Sequence, residues 1–207
     1  QMPDNIKCKS IEISRGIKPT TLLESIKELT EFFEKEKFDL VQYSTPNAAF
    51  VASIAAKKAN VPVRNYHLMG FRYLGESGIL RFILKLLEKI TCRLSTHIEC
   101  VSKSNLDLGI KERIFKPEKA VVIWNGSTGG VNLKRFNNLR RAKWRKQIRN
   151  ELALDDNDFV FGFVGRITLD KGINEILQAF NSTDNDSKLL FVGAQEGIKT
   201  LDQTLYQ

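Results

Sequence analysis

Apolar and polar positions alternate along this chain between two periods. Strand-like runs fall at residues 38–43, 61–70, 97–102, 120–124, 159–164 and 188–193, and residues 5–14 alternate in polarity like a short strand that Arg15 and Gly16 end. The runs at 38–43, 159–164 and 188–193 are apolar enough to predict buried strands, the one at 159–164 parallel. Between the strands the spacing turns helical. Leu22, Leu23, Ile26, Leu29 and Phe33 share one face of a helix that Thr20 or Thr21 is placed to cap. Ala48, Ala49, Ala52, Ala55, Ala56 and Ala59 make a helix suited to close packing on a sheet. Residues 79–94 set an apolar face of Ile79, Ile83, Leu86, Leu87 and Ile90 beside Arg81, Lys85, Lys89 and Arg93, which recur every fourth residue and line one side. Ile173, Ile176, Leu177 and Phe180 face one way on a last helix. The alternation of strand, turn and helix is that of an α/β protein.

Residues 159–180 carry the densest chemistry. A strand ends at Gly165, where the backbone must turn tightly or admit a ligand. Arg166 and Lys171 bracket a short polar loop, and Gly172 opens the helix. Backbone N–H groups and the helix dipole at such a terminus favour an anion, and two cations add full charge, so the arrangement suits a diphosphate. Strand–loop–helix units with solvated cations are common, and spacing alone does not decide between the two. Neither a Gly-x-Gly-x-x-Gly fingerprint nor a P-loop ending is present.

Composition narrows the classes. At 207 residues the chain suffices for one full domain or parts of two, and no window approaches a membrane span. No signal peptide is visible in a sequence that begins without a methionine. Cys8, Cys92 and Cys100 lack Cys-x-x-Cys spacing and histidine companions, so no metal is expected and buried reduced thiols are. The net charge of +8 suggests an anionic partner without choosing among nucleic acid, anionic lipid and a sugar diphosphate. Residues 134–149 hold eight cations and no acid, but only Phe136 and Trp144 interleave as aromatics, which argues against nucleic acid. The basic stripe on 79–94 beside an apolar one suits an anionic membrane surface. Ser44 lies in a turn after a strand, where open α/β sheets place ligands. His67 near the end of a strand is more often structural than catalytic, as is His97. Asn125 and Gly126 signal a turn, and Ser102 to Ser104 can cap a helix.

Gly162, Phe163, Val164, Gly165 and Arg166, followed by Asp170, Lys171 and Gly172, resemble the start of the donor domain in family 4 retaining glycosyltransferases. Residues 121–136 resemble the end of that family's first domain. Residues 64–73 with the basic helix and residues 100–104 resemble sugar transferases of bacterial capsule and O-antigen assembly. The resemblance implies an α/β, GT-B-like chain of two Rossmann-like domains with parallel sheets, both incomplete: residues 1–133 on the acceptor side and 134–207 opening the nucleotide-sugar donor domain. It implies transfer of a sugar, with retention, from a UDP- or GDP-linked donor to a polysaccharide or polyprenyl-diphosphate-linked acceptor, without a cofactor. Arg166 and Lys171, with Gly165 and Gly172, would hold the diphosphate. His67 would take the place of a catalytic histidine that the family sets immediately before the glycine, where this chain has Met69. Ser44, Gly70, Arg72 and Asn125 would line the substrate side. Arg81, Lys85, Lys89 and Arg93 would face the inner surface of the plasma membrane, making the protein cytoplasmic and peripheral. The family's pair of donor-binding glutamates is not found in residues 1–207, so the chain alone is expected to show no turnover. A nucleotide-sugar 2-epimerase and a non-catalytic basic module binding nucleic acid or lipid are the alternatives.

Overall fold

In a computed structural model, which describes residues 6–13, 19–183, 186–196, 201, 202 and 204, elements alternate along the chain as α1 (Pro19–Glu36), β1 (Leu40–Tyr43), α2 (Pro46–Lys58), β2 (Val63–Leu68), α3 (Gly78–Leu94), β3 (His97–Cys100), α4 (Lys103–Lys111) and β4 (Ala120–Val121). The chain divides into two units, residues 1–130 and 131–207. In the first, the strands form one parallel sheet in the order β1-β2-β3-β4, with Tyr43 beside Tyr66 and Leu68 beside Cys100. Parallel neighbours joined in one direction by right-handed crossovers place the connecting helices on the same face. That face carries Tyr43, Tyr66, Leu68, Ile98 and Cys100, all buried with Leu84 of α3 and Phe115. The opposite face carries Gln42, Asn65, His67, His97 and Glu99.

The small residues of α2 do what their size allows. Ala49 and Ala52 pack into the sheet-side core, whereas Ala55 and Ala56 meet Ile26, Leu29 and Phe33 of α1. Pro46 begins α2, where a missing N–H costs nothing.

Several expectations change. Residues 6–13 form no strand; Ile11 and Ile13 pack on the α1–α2 cluster instead, and Arg15 and Gly16 lie outside the described residues. Thr20 and Thr21 stand inside α1 rather than capping it, and Leu23 is exposed. β1 is an edge strand with a buried Tyr43 and an exposed Leu40, so it is half-covered, not buried. β4 ends at Val121, and Trp124, with φ 54°, is exposed in the following turn. Cys8 is exposed, while Cys92 and Cys100 are buried.

On α3 the buried stripe is largely polar and the apolar face is turned outward. Its buried residues are Leu84, Glu88, Thr91 and Cys92, while Ile79, Phe82, Ile83 and Leu86 face outward, Ile79 at 80% and Phe82 at 70% exposure. The cause lies beneath the helix. β1 and β2 present Tyr43 and Tyr66, whose hydroxyls need partners once buried. The Tyr43 hydroxyl bonds Ser95 at 2.8 Å, and the Tyr66 hydroxyl bonds the Glu88 carboxyl. A stripe of polar and small residues satisfies that surface; a purely apolar one would not.

The second unit holds α5 (Arg141–Glu151), β5 (Val160–Val164), α6 (Ile173–Asn181) and β6 (Lys188–Val192), with β5 and β6 paired in parallel. Phe163, Leu189 and Phe191 pack on Ile173, Ile176 and Leu177 of α6. Val164 and Val192, on the other face of the sheet, are exposed, and so is Phe159 just ahead of β5, so neither strand is buried as expected. Among the described residues α6, and not α5, packs on this two-stranded sheet, which leaves its other face open. Arg149, buried, gathers the Asp155 and Asp158 carbonyls, each at 2.6 Å, and so fixes the loop that leads from α5 into β5.

Candidate functional site

The loop after β5 is tied to the chain after β6. Gly165 N–H donates to the Val192 carbonyl at 3.0 Å and Ile167 N–H to the Ala194 carbonyl at 2.9 Å. Gly193 is required there: at φ 156° a Cβ would lie 1.8 Å from the Gly165 carbonyl oxygen. A short turn over Leu169–Lys171 follows, and Gly172, left-handed at φ 72°, stands at the N-cap of α6. Both glycines flanking the two cations thus occupy the positions the sequence assigns them, at the end of β5 and the start of α6.

Arg166 and Lys171 converge on one oxygen. Asp170 Oδ2 lies 3.6 Å from Arg166 Nη2 and 3.9 Å from Lys171 Nζ. The Asp170 carboxyl is held below its ordinary value by the Thr168 hydroxyl first, then by Arg166 and Lys171. Arg166 Nη1 also meets Glu196 Oε2 at 3.3 Å. One anionic oxygen is therefore within reach of both cations, and all four side chains are about half-exposed. Asp170 and Glu196 were not assigned from sequence. The Asp170 contact has a readable signal, the i, i+4 spacing from Arg166; Glu196 reaches Arg166 only through the β5–β6 pairing.

In the first unit, the C-terminal ends of neighbouring strands gather Ser44, Gly70, Ser102 and Asn125. Val101 N–H donates to the Leu68 carbonyl at 3.2 Å, and Ser127 N–H to the Val101 carbonyl at 2.7 Å, so the Asn125–Gly126 turn is fastened to the end of β3. Gly126, φ 77°, has no room for a Cβ against that carbonyl. Arg72 Nη1 donates to Asn47 Oδ1 at 3.4 Å, linking the segment after β2 to the first turn of α2. Ser102 caps α4, accepting from Asn105 N–H at 3.2 Å, and Asn105 holds the Met69 carbonyl at 3.3 Å.

His67 is buried within β2, not in the turn beyond it. Its Nδ1 lies 3.3 Å from Glu99 Oε1, close enough to pair when the ring is protonated, though the angle is not that of a hydrogen bond. Asn65 joins this polar face, donating to Gln42 Oε1 at 3.0 Å. His97, on the same face, is exposed and contacts Thr96 Oγ1 at 3.0 Å. Of the four cations on α3, Lys85 is bound to Glu112 at 2.7 Å and Arg81 lies over the Tyr73 ring, whose hydroxyl also donates to Glu112. Lys85, before any other group, holds the Glu112 carboxyl below its ordinary value. Among the described residues no group of three or more His, Cys, Asp or Glu side chains converges as a metal site, and no helix is long and apolar enough to cross a membrane.

Residues 5–127 match the family model described as Glycosyltransferase Family 4. The chain belongs to glycosyltransferase family 4. Residues 145–207 match a second model, Glycosyl transferases group 1. The capsular polysaccharide biosynthesis glycosyltransferase CapM of Staphylococcus aureus is 34% identical over 98% of this chain and 53% of its own length. The Escherichia coli UDP-Gal:alpha-D-GlcNAc-diphosphoundecaprenol alpha-1,3-galactosyltransferase is 28% identical over 77% of this chain and 38% of its own. This family member thus spans about half the length, or less, of these curated relatives. The crystal structure of Anabaena HepE in complex with UDP and glucose superposes with a TM-score of 0.66 at 19% identity, covering 93% of this chain and 50% of that one. The α/β fold with parallel sheets is accordingly that of the GT-B glycosyltransferases.

Proposed function

We propose that this family 4 chain is part of a retaining glycosyltransferase that takes a sugar from a nucleoside diphosphate, UDP or GDP, and passes it to a lipid-linked or polysaccharide acceptor in capsule-type assembly. The observation that carries this reading is the convergence of Arg166 and Lys171 on one anionic oxygen at the start of α6. A leaving diphosphate gains charge as the glycosidic bond breaks, and preformed cations stabilise it without a metal. Gly165 and Gly172 let the diphosphate approach the backbone. Ser44, Gly70, Arg72 and Asn125 form the acceptor edge in this scheme, with Arg72 placed for an acceptor phosphate. His67 acts near the reacting carbon, with the Glu99 carboxylate 3.3 Å from its Nδ1.

The outward Ile79, Phe82, Ile83 and Leu86, with Lys89 and Arg93, support a peripheral seat on an anionic inner membrane face, where a lipid-linked acceptor resides. Residues 1–133 serve the acceptor and 134–207 the donor.

Calorimetric titration with UDP and GDP tests the reading. Saturable binding that Arg166→Ala and Lys171→Ala each weaken about tenfold or more supports it. Binding unaffected by both substitutions would count against it.

A further inference from the structure

A basic cavity lies in the first unit, at the end of the sheet away from Ser44, Gly70 and Asn125. Its walls come from the end of α3, the connection from α4 to β4 and the turn Pro117–Lys119, all of which precede the N-terminal ends of β3 and β4. The cavity encloses about 770 Å³, with Arg93, Arg113, Lys116 and Lys119 around it and Glu118 the one acid in its lining. Phe115 supplies an apolar wall. Its ring sits on the backbone of α4 at Gly109, where a Cβ would lie 2.2 Å from Cζ, so the wall is fixed by packing.

The ordinary role of such cations is to neutralise helix C-termini. Lys119 does that for α3, donating to the Arg93 carbonyl at 3.1 Å and the Ser95 carbonyl at 2.8 Å. One lysine suffices. Lys116 meets Glu118 at 3.7 Å in an exposed pair of little strength. Arg93 and Arg113 are left with no acidic partner among the described residues, and both are exposed. Like charges gather around a concavity at a cost unless an anion occupies it.

We propose that this cavity binds a phosphate-bearing organic anion, its phosphate held by Arg93, Arg113 and Lys116 and its apolar part against Phe115. Planar guanidinium groups suit phosphate oxygens. Arg93 also follows Leu86 and Ile90 on the outward face of α3, at i+7 and i+3, so the phosphate belongs either to a free metabolite or to a lipid head group beside that face.

The test uses Arg113→Asn with Lys116→Gln. Arg113 has φ 53°, a conformation asparagine tolerates, and both side chains are exposed, so circular dichroism and thermal unfolding should not change. The control is Lys57→Gln with Lys58→Gln, two exposed cations outside the cavity. Each protein is titrated with glycerol phosphate and sedimented with phosphatidylglycerol or phosphatidylcholine vesicles. The cavity variant is expected to lose about tenfold in affinity while the control keeps wild-type binding. Loss toward glycerol phosphate identifies a free phosphate, and loss confined to phosphatidylglycerol vesicles identifies a head group. Wild-type protein that saturates with neither probe, or equal losses in both variants, overturns the proposal.

Discussion

Glu196 Oε2 lies 3.3 Å from Arg166 Nη1, on a cation that also faces Asp170. A ligand phosphate must displace or share these carboxylates. Glu196→Gln keeps the shape and removes one competing charge, so UDP affinity should rise a few-fold, an effect of less than about 1.4 kcal/mol for an exposed pair. Titration of the variant beside Arg166→Ala separates the two effects. Weaker UDP binding in Glu196→Gln would mean that the glutamate serves the ligand itself.

Glu88 governs a different property. Burial pushes its carboxyl up to about 7 from 4.5, the Tyr66 hydroxyl opposing this only in part, and Glu88 Oε1 has no hydrogen-bond partner among the described residues. A raised carboxyl pKa means that the folded chain binds more protons than the unfolded one between those values. Stability therefore falls as pH rises from about 4.5 to about 7, by on the order of 3 kcal/mol in all. Glu88→Gln should flatten that slope and melt higher than wild type at pH 8. Parallel pH profiles of the two proteins would refute this buried acid.

What could be read from sequence, and what could not, divides along physical lines. Gly172 before α6 and the alanines of α2 were legible because local backbone geometry and side-chain size determine them. The orientation of α3 was not. Its apolar face was readable from the period, but the packing of Leu84, Glu88, Thr91 and Cys92 on the sheet depends on the buried hydroxyls of Tyr43 and Tyr66, on strands separated from it in sequence. The apolar run in β5 likewise predicts burial, whereas the number of layers packed on the sheet decides it. At the candidate site the cations were legible and Glu196 was not, since it arrives through the β5–β6 pairing, thirty residues along the chain.

Gly193 tests how far the loop after β5 depends on that pairing. With a Cβ 1.8 Å from the Gly165 carbonyl oxygen and 2.7 Å from its carbon, Gly193→Ala must push the chain after β6 off the Gly165–Ile167 segment. The loss should exceed about 3 kcal/mol, as strain at a special backbone conformation adds to the clash. Hydrogen exchange at Gly165 and Ile167, whose N–H groups donate across this pairing, should accelerate in the variant. Unchanged protection would show that the close approach is not kept in solution.

The outward face of α3 makes the membrane reading testable apart from stability. Phe82 is 70% exposed and Leu84, two residues on, is buried in the sheet-side core. Phe82→Ser removes a side chain worth about 1.5–3 kcal/mol on burial, so partition onto phosphatidylglycerol vesicles should drop tenfold or more while the melting temperature stays put. Leu84→Ser should do the reverse, lowering the melting temperature through a polar group in the core. Lys89→Gln adds the electrostatic part: its effect should be visible at low salt and fade near 0.1 M, where charges about 10 Å apart are screened. If Phe82→Ser instead melts early and sediments with vesicles as wild type does, the outward stripe packs against protein and α3 is not a membrane-facing helix.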